Sequence, residues 1–186
     1  MRRAVLDACV LFPTVLREVL TGVAAAGLYT PLWSERILEE WARATAKLGP
    51  GAEIVARGEI VALAAAFPKA SVAPQPALES RLWLPDPADI HVLASAIAGH
   101  ADLIVTFNAA DFPRGTLAEE GLERMDPDQF LLALWRGHPG QVAGVVEAVR
   151  DKAETLSGQA QPLRALMKRA RLPRLGKALA APGQGA

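Results

Sequence analysis

The sequence predicts an α/β protein of three layers, a central and mainly parallel sheet between helices, with a basic helical extension at its C-terminal end. Two observations lead there. Short apolar runs of strand length alternate with longer segments whose apolar residues recur at helical spacing, and within "DLIVTF" the run Leu103, Ile104 and Val105 is continuously apolar, as a strand covered on both faces requires. The third observation is a shift of charge along the chain. Residues 1–140 carry 12 basic and 17 acidic side chains, a net of −5, and residues 141–186 carry 8 and 3, a net of +5. A main domain over 1–140 and an extension over 141–186 are therefore expected.

The elements follow in order. "AVL" before Asp7 is a short buried strand, and "FPTVLREVLTGVAAAG" is a helix with Val15, Val19, Leu20 and Val23 on one stripe, closed by Gly27. "LYTPLW" is a second strand. "SERILEEWARATAKLG" is a helix capped by Ser34, with Ile37, Leu38 and Trp41 inward and Gly49 as its stop. "GAEIVARGEIVALAAAF" is a helix, "ASVA" a short strand, and "PQPALESRLWLP" a proline-bearing loop. In "DPADIHVLASAIAG", Asp86 caps, Pro87 takes the first helical position, and Ile90, Leu93, Ala94 and Ile97 form the buried stripe. After the strand "DLIVTF" come an edge strand "GLERMD" and the helices "PDQFLLALWRG" and "PGQVAGVVEAVRDKAETL". Residues 157–177 read as one or two short basic helices and 178–186 as a flexible tail.

Composition excludes several classes. The single cysteine, Cys9, rules out an internal disulfide framework and a multi-cysteine zinc site, and fits a reducing cytoplasmic location. Asp7 interrupts the apolar N-terminal run, so a signal peptide is not expected, and no stretch reaches the roughly 18 apolar residues of a membrane helix. There is no phosphate-cradling glycine loop and no serine nucleophile elbow. His91, His100 and His138 lack metal-ligand spacing and read as packed or solvated. The four tryptophans, Trp33, Trp41, Trp83 and Trp135, are expected in the core or at an interface.

The chemistry-bearing residues collect where a parallel sheet binds ligands, beyond the carboxyl ends of its strands. Asp7 follows the first strand directly, Thr106, Asn108 and Asp111 follow "DLIV", Asp89 opens the helix before that strand, and Glu40 lies on the helix after "LYTPLW". Crowded carboxylates repel and take up protons unless a cation neutralises them. A hard divalent ion does so, and Mg²⁺ binds through a few carboxylates together with water and phosphate oxygens. Each acid also has a plainer reading. Asp86 and Asp89 have the spacing of an N-cap and its third helical residue. Glu39 and Glu40 fit a solvated helix face, Asp111 a helix cap and Asn108 a turn. Asp7 is the hardest to explain structurally, because a lone buried carboxylate costs several kcal/mol unless paired.

Taken together, Asp7 after the first strand, "SERILEEW", "LPDPADIHVLASAIAGHADLIVTFNAADFP" and "RMDPDQFL" resemble the PIN-domain family, and within it the VapC-type ribonuclease toxins of type II toxin–antitoxin systems. The resemblance spans roughly residues 3–137 and is densest over 84–113. It implies a PIN-like fold and a Mg²⁺- or Mn²⁺-dependent endoribonuclease acting on RNA, with a cognate antitoxin protein as partner and a homodimer as a family expectation. It assigns catalytic roles to Asp7, Glu40, Asp89 and Asp111, with Asp7, Asp89 and Asp111 on the metal. Glu40, just before Trp41, matches the second-motif acid in preference to Glu39. Thr106 and Asn108 become supporting polar residues, Asn108 standing where many relatives carry Asp.

An acidic cleft repels RNA, so basic residues on its rim must offset it. Arg114 and the tail residues Lys168, Arg169 and Arg171 are candidates for phosphate contact, the tail serving equally well as a solubilising or antitoxin-contacting segment. Two alternatives to the toxin are a PIN-like RNA- or protein-binding module without turnover and a housekeeping RNA-processing nuclease. A phosphatase using Asp7 as nucleophile would want a second Asp two residues on, and position 9 is cysteine.

Overall fold

The computed structural model describes residues 1–181. In chain order the elements are β1 (Arg3–Leu6), α1 (Ala8–Leu11), α2 (Thr14–Ala25), β2 (Thr30–Ser34), α3 (Glu35–Ala44), α4 (Ala52–Ala66), β3 (Ser71–Val72), α5 (Pro76–Glu79), α6 (Ile90–Ala98) and β4 (Leu103–Val105). They continue with α7 (Arg114–Glu119), β5 (Glu123–Met125), α8 (Pro127–Gly137), α9 (Pro139–Ser157), α10 (Leu163–Arg169) and α11 (Pro173–Leu179). The chain divides into two compact units. One comprises Met1–Phe12 and Tyr29–Met125, the other Pro13–Leu28 and the chain from Asp126 onward.

The first unit is an α/β fold around a five-stranded sheet of order β3-β2-β1-β4-β5, every strand pair parallel. Its centre is apolar because β1, β2 and β4 bury Val5, Leu6, Leu32, Trp33, Leu103, Ile104 and Val105 almost completely. Pro31 sits inside β2 without breaking it. Thr30 N donates to Arg2 O on the β1 side, so the proline nitrogen faces the β3 side, where hydrogen bonding begins only at Trp33 N. Ser34 ends β2 and caps α3, its Oγ accepting from Ile37 N at 3.3 Å, which turns Ile37, Leu38 and Trp41 inward.

Helix α6 packs on β1, β2 and β4. Its buried face is wider than the expected stripe: Leu93 and Ala94 are buried and Ile90 and Ile97 half-buried, but His91, Val92, Ser95 and Ala96 are buried as well. Ser95 stays inside because its hydroxyl donates to His91 O at 2.7 Å. Gly99 ends the helix at close range: a Cβ there would lie 3.0 Å from Leu32 Cδ1 and from Val72 Cγ2. The proline-rich stretch expected to be a loop contains the single helical turn α5, begun by Pro76 at its first position. Trp33, Trp41 and Trp135 are buried, whereas Trp83 is 67% exposed.

The second unit is helical. α9 packs on α2 and α8, and α11 on α8 and α10. The close approach of α2 and α9 depends on Gly22, where a Cβ would stand 2.7 Å from Val145 Cγ1. The C-terminal part of this unit starts at Asp126 because α8 packs with the helices that follow it. Asp128 explains part of that packing. It is buried on α8, and its two carboxylate oxygens accept from Arg174 N and Leu175 N at 2.9 Å each, capping α11 from another helix. Asp128→Ala should cost about 1–3 kcal/mol in urea unfolding through the two orphaned amides. A cost below about 0.5 kcal/mol would remove the capping role. Two basic helices, α10 and α11, occupy the region expected to hold one or two; α11 continues to Leu179, and most of the expected tail lies outside the described residues.

Candidate metal centre

The strand order creates the site. From β1 the chain moves to β2 and β3 on one side and then returns to β4 and β5 on the other, so the carboxyl ends of β1 and β4 flank the point where the connections diverge. Leu6 and Val105 are partners in register, which brings out Asp7 and Thr106 side by side. Asp7 N donates to Val105 O at 3.2 Å. Both residues are buried, Asp7 at 4% and Thr106 at 3% exposure.

Asp7 is buried but not unpartnered. Its Oδ2 accepts from Thr106 Oγ1 at 2.7 Å and from Cys9 Sγ at 3.1 Å, while Thr106 Oγ1 accepts from Asn108 N at 3.0 Å. Phe107 N donates to Cys9 Sγ at 3.3 Å. Burial first, and then the charge of Asp7, push the Cys9 thiol up to about 12, so it stays protonated and acts as a donor. The sequence places Cys9 two residues after Asp7 but gives it no role in the site; its bonds to Asp7 and Thr106 come from the fold. Thr106→Val should cost about 1–3 kcal/mol in urea unfolding, since it strips Asp7 Oδ2 of one donor and Asn108 N of its acceptor. A loss near zero would mean that Cys9 alone suffices.

Asp89 has no capping duty. Asp86 Oδ1 accepts from Ala88 N at 2.9 Å and caps the 3₁₀ turn Pro87–Asp89, whereas Asp89, at the start of α6, makes no side-chain cap hydrogen bond. Its carboxyl is instead pushed up to about 6, by burial first and then by the charges of Asp7, Asp111 and Asp86, with His91 opposing. Three aspartates from three separate stretches of sequence thus act on a fourth.

Asp111 likewise caps no helix through its side chain. Its amide donates to Asn108 O at 3.2 Å to close the turn after β4, and the N-cap of α7 is Pro113. The turn is anchored by buried Phe112, whose carbonyl accepts from Arg124 Nε at 2.7 Å. Asn108 is exposed, and its backbone forms the turn. Glu40 is held differently: its Oε1 stands 3.3 Å from Arg36 Nε and 2.9 Å from His91 Nε2. Burial opposes its charge, but His91 and then Arg36 outweigh that and hold its carboxyl below the usual range. Glu39 is committed elsewhere, to Arg57 at 2.8 Å and Arg43 at 2.6 Å, which together hold its carboxyl down to about 2.

The donors are carboxylate, hydroxyl and amide oxygens, a set that suits a hard divalent cation, and the mutual repulsion on Asp89 is what such a cation relieves. Among the described residues no three His, Cys, Asp or Glu side chains close to direct coordination. Mg²⁺ does not require that, since it keeps several waters and binds through one or two carboxylates. Of the basic candidates, Arg114 is exposed at the start of α7 in the same unit as the acids. Lys168, Arg169 and Arg171 are exposed in the second unit, Arg169 bonded to Gln161.

Among the described residues no helix is long and apolar enough to cross a membrane. Comparison with curated proteins and with solved structures finds no match. The family model of the PIN domain matches residues 3–110, more than half of the chain, taking in Asp7, Glu40, Asp89, Thr106 and Asn108 and stopping one residue short of Asp111. With its five-stranded parallel sheet and its acids at the divergence of β1 and β4, the chain belongs to the PIN-domain family, whose members are generally nucleases.

Proposed function

We propose that this protein is a Mg²⁺- or Mn²⁺-dependent endoribonuclease and the toxin of a toxin–antitoxin pair. The observation that carries the reading is the state of Asp89: free of the capping role its position suggests, and raised to about 6 beside Asp7, Asp111 and Asp86. Asp7, Asp89 and Asp111 would hold the cation, and Glu40 is the fourth catalytic acid. Thr106 fixes the rotamer of Asp7, and the Asn108 turn sets the direction of Asp111. A bound divalent ion supplies Lewis acidity for the phosphoryl group and a more acidic water. Arg114, Lys168, Arg169 and Arg171 would contact phosphates, which makes RNA binding salt-dependent.

The test is titration of Mn²⁺ into wild type and Asp7→Asn by calorimetry, with RNA cleavage followed on the same samples. Binding and cleavage in wild type, both lost in the variant, are the expected result. A wild type that neither binds Mn²⁺ nor cuts RNA overturns the reading and leaves a PIN-like binding module, toward which Asn108, an amide in place of a carboxylate, points. A small antitoxin reading frame beside the gene distinguishes the toxin from a housekeeping RNA-processing nuclease. The antitoxin and homodimer contacts belong to this same proposal.

A further inference from the structure

His91 is 3% exposed, yet neither ring nitrogen makes an aligned hydrogen bond among the described residues. Nε2 lies 2.9 Å from Glu40 Oε1, but its N–H direction misses the oxygen, and Nδ1 has no partner. Buried polar atoms left in this state are uncommon and costly, and they concentrate where a structure does chemistry. The ring lines a cleft of about 700 Å³ with Ser34, Arg36, Glu40, Glu79 and Ser95. It also stands two residues after Asp89, on the same backbone turn at the start of α6.

Glu40 reaches the cleft from α3, an element that makes its own way off the end of β2. Two contacts relate its surroundings to α6 and the 3₁₀ turn before it: Arg36 Nη2 donates to Ala88 O at 3.3 Å, and His91 Nε2 stands 2.9 Å from Glu40 itself. We infer that His91 is a positioning residue for Glu40, its Nε2–H holding the Glu40 carboxylate of α3 against α6 across the cleft. The inference rests on the nuclease reading for its consequence in catalysis and on the geometry alone for the contact. Imperfect alignment of such a contact does not rule the pair out, since catalytic hydrogen bonds are often loosely aligned in unliganded geometry.

The test uses His91→Leu, which removes the donor, and His91→Gln, which returns an amide donor near the position of Nε2. With only three histidines in the chain, the His91 ring nitrogens are assigned by their loss in His91→Gln and followed by ¹⁵N NMR in metal-free protein at one pH. Glu40→Gln is expected to shift His91 Nε2 and leave His100 and His138 unmoved. An unmoved His91 Nε2 overturns the contact. In RNA cleavage, His91→Leu is expected to lower kcat by about 10–100-fold with KM within about threefold, and His91→Gln to recover most of the loss. In the Glu40→Gln background, His91→Leu should change kcat by less than about threefold, because the two act as one unit. Fully additive losses, or a His91→Gln as impaired as His91→Leu, overturn the positioning role. A wild type that cuts no RNA sinks the nuclease reading, while the nitrogen spectra still decide the contact.

Discussion

Asp89→Asn is expected to abolish RNA cleavage, by at least about 10³-fold, and to raise the melting temperature of the metal-free protein. The two halves of this result have one cause. The wild-type carboxyl is pushed up to about 6 by burial and by Asp7, Asp111 and Asp86, so its charge is unfavourable until a cation arrives. An amide of nearly the same volume would remove the repulsion and, with it, the proposed metal ligand. The sign for pH follows. The folded state holds the Asp89 proton more tightly than the unfolded chain, whose value is near 3.8. The stability this group allows is therefore fully present below about 4, is lost as pH rises through about 6, and stays constant above. The whole displacement is worth about 3 kcal/mol, which solvent screening at this half-exposed group reduces to roughly 1 kcal/mol. Urea unfolding of metal-free protein between pH 4 and 7 should show that decline in wild type and its absence in Asp89→Asn. Saturating Mn²⁺ should stabilise wild type and leave the variant unmoved. A variant that is less stable than wild type without metal would restore Asp89 to a structural role.

Trp33→Ala destabilises the protein by about 3–5 kcal/mol, a large share of the roughly 5–15 kcal/mol that holds a typical domain folded. Trp33 is 1% exposed in β2, packs edge-on against Phe67 with ring centroids 5.9 Å apart, and donates its backbone N–H to Ala70 O at 3.0 Å. Truncation leaves a void that the sheet cannot collapse to fill, because Leu32 and Ser34 on either side are fixed by the β1 and β3 ladders. Urea unfolding measures it. A loss under about 1 kcal/mol would mean that the sheet edge at β3 repacks. Trp83→Ala, at an exposed position, is the control and should change stability by less than about 0.5 kcal/mol.

The amino-acid sequence by itself determined what depends on neighbours a few residues away. Ser34 as a cap, Pro87 after Asp86 at a helix start, the apolar strand ending at Thr106 and the helical spacing of Ile37, Leu38 and Trp41 are all settled within one or two turns of chain, and the structure keeps each of them. Local order also placed Asp7, Asp89, Thr106, Asn108 and Asp111 at strand or helix ends, where a parallel sheet gathers them. Tertiary structure decided whatever depends on groups distant in sequence. Asp86 and Asp89 had the spacing of an N-cap and its third helical residue, and only the folded turn gives the capping bond to Asp86 and leaves Asp89 to the charges of Asp7 and Asp111. Asp128 lies in the first turn of α8, and only packing sets it on amides 46 and 47 residues away. His91 and Cys9 were given no part in the site by the linear order, since Glu40 and Thr106, which they meet, lie on other elements. The physical reason is common to all of them. Propensity, capping and periodicity are short-range energies that a linear reading can sum, whereas burial and charge coupling depend on where the chain returns, which the sheet order fixes only once the whole unit has closed.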